Sequence, residues 1–157
     1  MNRTGAILEA RIRSELGELA EIVGRAEEGW ERAKRTNDDF YLDGVALNIH
    51  GFYSGIELIF EKIASGIDGS APSGSTWHRD LLDQMSTEVA GIRPAVVSDN
   101  LKNLLEEYRG FRHVVRNVYT HHLSAEKIKS LIEKLRSTFA EVEKELSEFA
   151  AFLEETK

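Results

Sequence analysis

The chain has 157 residues, 30% of them charged and 41% hydrophobic, no cysteine and a formal charge of −7. That length suits one domain, residues 1–157, with a core that needs no staples. The lack of cysteine excludes a disulfide framework, a thiolate metal site and a cysteine nucleophile. The acidic balance excludes a blanket electrostatic nucleic-acid binder and leaves room only for a local basic patch.

Apolar residues recur at alternating steps of three and four, the mark of a helix with one buried stripe. The first stripe is Leu8, Ile12, Leu16, Leu19, Val23, Ala26, Trp30 and Ala33. Asn37-Asp38-Asp39 offers caps for a second helix, striped by Leu42, Val45, Ile49, Phe52, Ile56, Ile59 and Ile63. It is the most apolar helix and is expected to sit deepest, with Gly44, Gly51 and Gly55 allowing close approach or fitting turns near its entry. A loop follows over residues 66–75, then a short helix from about Trp77 to Val89, ended by Gly91-Ile92-Arg93-Pro94. Ser98 or Asp99 caps a fourth stripe of Leu101, Leu104, Tyr108, Phe111, Val115 and Val118. Ser124 opens the last helix, whose seam is Ile128, Ile132, Leu135, Phe139, Val142, Leu146, Phe149 and Leu153. The pattern predicts an all-α, up-and-down bundle of four long helices plus one short one. The long first and last helices either pack on each other or pair with a second copy.

No apolar run approaches the roughly 20 residues that cross a bilayer. The first residues lack the uninterrupted apolar stretch of a signal peptide, so the expected location is the cytoplasm.

Charge is unevenly placed. Residues 109–136 hold seven Lys/Arg against two acids, together with His113, His121 and His122. Such an island suits phosphate, whose oxygens match arginine forks, although a solvated helix face would read the same way. Arg109, Arg112 and Arg116 share one helix face. His121 lies about 140° around an unbroken helix from Arg116, so the two converge only if the helix ends between them or a two-fold mate supplies its own copy. Glu57 interrupts an apolar run and is expected to pair with Arg112 or Arg116. His113 reads as packed or bonded to a carboxylate, and Trp30 and Trp77 as core or rim anchors. His50 and His78 lack the spacing of a zinc site, and no Glu-x-x-His pair suggests di-iron, so no metal or other cofactor is expected.

At Arg116-Asn117-Val118-Tyr119-Thr120-His121 the sequence resembles the Arg-(x4-6)-His motif of HEPN domains (higher eukaryotes and prokaryotes nucleotide-binding), in the spacing of HepT-type toxins. Tyr53-Ser54-Gly55-Ile56-Glu57, Trp77-His78-Arg79-Asp80-Leu81 and Phe111-Arg112-His113-Val114-Val115-Arg116 resemble further blocks of HepT-like proteins. The similarity spans roughly residues 40 to 150. The resemblance implies a HEPN-like bundle acting as a metal-independent endoribonuclease on an RNA substrate, in a homodimer. The protein would be the toxin of a pair whose antitoxin is a minimal nucleotidyltransferase. It makes Arg116 and His121 the catalytic pair, His122 the runner-up to His121, and Asn117 a polar residue that orients one of them. The family motif often continues to a tyrosine that the antitoxin modifies; this chain has Leu123 there, which leaves Tyr119 or another route of neutralisation. A non-catalytic HEPN module that binds nucleotide or a partner nucleotidyltransferase, and a helical adaptor, are the competing readings.

Overall fold

A computed structural model describes residues 3–117 and 123–155. Five α-helices make up the fold: α1 Arg3–Thr36, α2 Tyr41–Ile63, α3 Trp77–Met85, α4 Asp99–Asn117 and α5 Ala125–Glu155. There is no strand among the described residues, and four long helices and a short one form an all-α HEPN-like bundle, as the stripes predict. α2 is the central element, touching α1, α3, α4 and α5. Its Val45, Ile49, Phe52, Ile56, Ile59 and Ile63 are all buried. Phe52 packs edge-on against Tyr108 of α4 and Phe139 of α5, with ring centroids 5.4 and 6.3 Å apart. The Tyr108 hydroxyl donates to the Leu131 carbonyl at 2.8 Å, so the aromatic core costs no unpaired phenol there.

The first and last helices pack on each other along the bundle, and Arg136 of α5 pairs with Glu27 of α1. Every seam residue of α5 from Ile128 to Leu153 is buried. On α4 the buried stripe runs through Leu105, with Leu104 only partly buried, a shift of one position from the expected stripe.

The connections carry the fold's local logic. Asn37, at φ 53, takes the left-handed turn that ends α1, and Asp38 Oδ1 accepts from the Phe40 amide at 3.0 Å. Ser98 caps α4 by accepting from the Leu101 amide at 3.1 Å, while Glu145 of α5 accepts from the Ser98 amide and hydroxyl at 2.5 and 3.0 Å. Ser124 Oγ accepts from the Lys127 amide at 3.3 Å at the start of α5.

Three expectations change. The loop after α2 begins at Gly69, not Gly66, because Ala64–Asp68 continues the helix as a π-helical turn. Gly69 closes it at φ 72, and the Ser70 amide returns to the Ala64 carbonyl at 3.0 Å. α3 ends at Met85 rather than near Val89, since its last carbonyls are taken by the chain that follows. The Val96 and Val97 amides bond to the Met85 carbonyl, at 2.8 and 3.2 Å, and Arg93 bonds to the Gln84 carbonyl at 3.1 Å. Among the three singled-out glycines only Gly55 sits at a close helix approach, where an added Cβ would lie 2.9 Å from Leu19; Gly44 and Gly51 have room.

Arg93 is the centre of this region. Its side chain is fully buried and forks onto Asp68, Nε to Oδ1 at 2.6 Å and a terminal nitrogen to Oδ2 at 2.8 Å. The other terminal nitrogen donates to the Thr87 and Pro94 carbonyls, and Gln84 adds a second donor to Asp68 at 2.7 Å. The network ties the π-helical turn to both ends of the α3–α4 connection and so fixes where α3 lies on α2.

Candidate active site

Where α3 leans on α4, a cavity of about 500 Å³ opens, lined by residues 75–79 and by Arg109, Arg112, His113, Arg116 and Asn117. Among the described residues four arginines and two histidines line it, and no acidic side chain does. The N-terminal end of α3 also opens onto it, adding a partial positive charge. Composition and dipole both make its wall electropositive.

Both α3 and α4 pack against α2. Glu57, 4% exposed, stands 2.8 Å from His78 Nδ1 through Oε2 and 3.8 Å from Arg112 Nε through Oε1. Arg112 Nε also donates to Ser54 Oγ at 3.4 Å, and its terminal nitrogen lies 3.5 Å from His78 Nε2. The expected Glu57–Arg112 pairing is present, joined by a histidine. Trp77 lies against the His78 ring with centroids 3.6 Å apart, so Trp77 lines the site rather than only anchoring the rim.

The three arginines of the shared α4 face all reach the cavity. Arg109 is tethered to Glu106, at 2.6 and 2.8 Å. Arg79 and Arg116 have no carboxylate partner among the described residues. A guanidinium without a carboxylate beside a cavity keeps its donors for an incoming anion. His113 is exposed on the cavity wall instead of packed, which corrects the expectation for it. Asn117 lines the cavity too, but its amide nitrogen donates back to the His113 carbonyl at 2.6 Å. His121 and His122 lie outside the described residues, as does Val118; the described part of α4 ends at Asn117.

The basic island is not one surface. Lys134 pairs with Glu107 at 2.5 Å and Arg136 with Glu27, away from the cavity, which draws Arg79 from α3 in their place. Beneath the arginines, burial lowers the pKa of His50, helped by the charges of Arg112 and Arg116 and opposed by Glu57. Its Nε2 is buried without a hydrogen-bond partner. Burial, with the charge of Glu57, holds the Tyr53 phenol protonated well above its ordinary range.

Sequence reasoning missed His78, Trp77 and Arg79 as site residues. The available signal was the polar series His50, Ser54 and Glu57 at steps of four and three inside the most apolar helix, which marks a wet strip on α2. No group of three or more His, Asp or Glu able to hold an ion occurs among the described residues. No helix among them is long and apolar enough to cross a membrane.

Comparison with curated proteins and with solved structures returns no match. A family model described as "HepT-like protein" matches residues 44–153, from early α2 to the end of α5. That span covers more than two-thirds of the chain and every residue lining the cavity, so the chain belongs to the HepT-like protein family, a HEPN-type bundle.

Proposed function

We propose that the protein is a metal-independent endoribonuclease that cleaves RNA in the arginine-lined cavity, as the toxin of a toxin–antitoxin pair. The observation that carries this reading is the Arg116 guanidinium, which has no carboxylate partner among the described residues, in a cavity that those residues line with four arginines, two histidines and no acid. A phosphodiester fits such a wall. Cleavage without a metal needs a base for the 2′-hydroxyl, an acid for the departing 5′-oxygen and a cation on the non-bridging oxygens. Arginine stays protonated, so Arg116 stabilises the phosphorane, and His121 moves protons, with Asn117 next to Arg116 as the polar residue that orients one of them. The bond from O2′ to phosphorus forms, the bond to O5′ breaks, and the products are a 2′,3′-cyclic phosphate and a 5′-hydroxyl.

The active form is a homodimer in which two copies of Arg116 and His121 face one cleft. Phe40, just before α2, and Leu47 and Leu58 on it stand 75%, 66% and 42% exposed and supply apolar surface for a second copy. The partner is a minimal nucleotidyltransferase antitoxin in the same cytoplasm. Leu123, at the family's tyrosine position, is partly buried against the core and carries no hydroxyl. Neutralisation therefore falls to Tyr119, outside the described residues, or to covering the cavity.

The test is RNA cleavage by pure protein beside Arg116→Ala and His121→Ala, each checked for helix content and for mass in sedimentation. Both variants should lose cleavage while staying folded. A wild type inert towards RNA that still binds nucleotide overturns the nuclease and favours a non-catalytic binding module.

A further inference from the structure

Outside the Arg116–His121 motif two imidazoles line the cavity, His78 and His113, and His78 is the more closely held. His78 comes from α3, not α4, and three neighbours hold it. Glu57, nearly fully buried, takes Nδ1 at 2.8 Å; Trp77 lies on the ring at 3.6 Å; Arg112 faces Nε2 at 3.5 Å. Each contact has a chemical consequence. A carboxylate at Nδ1 puts the ring proton there and leaves Nε2 as the acceptor nitrogen, with an Arg112 terminal nitrogen 3.5 Å away as its donor until a phosphate draws that guanidinium off. The stacked indole fixes the ring plane. Arg112, itself held by Ser54 and Glu57, sets a cation beside Nε2, where a phosphate oxygen would lie next to the proton acceptor. The His78 side chain keeps 28% of its surface exposed although its carboxylate keeps only 5%. His78 also lines the cavity, where a residue serving only to satisfy Glu57 need not be.

We infer that Glu57 and His78 form the base of this site: His78 Nε2 accepts the proton of the ribose 2′-hydroxyl, and Glu57 is the positioning residue that holds the ring. The inference rests on the endoribonuclease reading and deepens it. O2′ loses its proton to Nε2 as it bonds to phosphorus. The electron pair of the breaking bond leaves with O5′, which takes a proton from His121. His78 then returns its proton to solvent. One protomer's cavity therefore carries its own base. Arg79, Arg109, Arg112 and Arg116 hold the phosphate.

The experiment uses the whole protein with two substrates, an RNA oligonucleotide and a uridine 3′-phosphodiester with a para-nitrophenyl leaving group that needs no acid. His78→Ala should slow both about a hundred- to ten-thousand-fold in kcat with little change in KM. Added imidazole should restore part of the rate. Glu57→Gln should slow both less than His78→Ala. Wild type that cuts RNA while His78→Ala cuts equally well, or a folded His78→Ala that imidazole does not rescue, overturns the base assignment and leaves the nuclease standing. Wild type inert on both substrates sinks the nuclease and the base with it.

Discussion

Replacing Arg93 by methionine tests whether the α3–α4 connection positions the cavity. Methionine keeps the unbranched length of the side chain and removes all its donors. Asp68, whose side chain is 6% exposed, is then left as a buried carboxylate with only Gln84 as donor. The Gln84, Thr87 and Pro94 carbonyls also lose their Arg93 partner. Breaking one side of a buried ion pair costs about 3–5 kcal/mol. For a chain of this size that is roughly 6–20 °C in Tm, taking about 2–4 °C per kcal/mol. Urea unfolding followed at the helical band gives the loss, and the double variant Arg93→Met/Asp68→Leu closes the cycle. The double should be more stable than the sum of the singles by roughly 0.5–3 kcal/mol, because it leaves no buried charge behind. A single variant within about 1 kcal/mol of wild type, or a cycle additive to within about 0.5 kcal/mol, refutes the lock. The network also sets a pH limb. Burial alone would raise the Asp68 pKa, but hydrogen bonds from Arg93 and Gln84 and the charge of Arg93 hold it below its ordinary value. Its contribution is present above the unfolded aspartate value of about 3.9 and is lost as pH falls through the lower folded value. Arg93→Met should flatten that limb.

The glycines of α2 should separate by position. Gly44→Ala meets open space and should stabilise by about 0.5–1 kcal/mol, whereas Gly55→Ala drives a Cβ to 2.9 Å from Leu19 and should lose that gain or reverse it, both read from urea midpoints. Arg116→Ala should weaken binding of a cleavage-resistant 2′-O-methyl oligonucleotide and reduce the slope of log affinity against log salt by about one, measured by fluorescence anisotropy. An unchanged slope would remove Arg116 from the phosphate.

The bundle was legible because its stripes are local. The α5 seam, at steps of three and four from Ile128 to Leu153, is buried throughout, and one face of a helix is set by spacing alone. The end of α3 was not legible, because the carbonyls that stop it are taken by Arg93, Val96 and Val97 from further along the chain. Leu104 and Leu105 show the same limit, since two adjacent leucines serve a three-four stripe equally well and packing chose the second. At the cavity, the shared face of Arg109, Arg112 and Arg116 followed from spacing. His78 did not, being 21 residues from Glu57 and 34 from Arg112, pairings made only when α3 docks against α2 and α4.

The most direct test of the account is end-group analysis of RNA incubated with the pure protein in excess EDTA. Cleavage with 2′,3′-cyclic phosphate and 5′-hydroxyl ends is the predicted result. Intact RNA, or fragments bearing free 3′-hydroxyl ends, would contradict it.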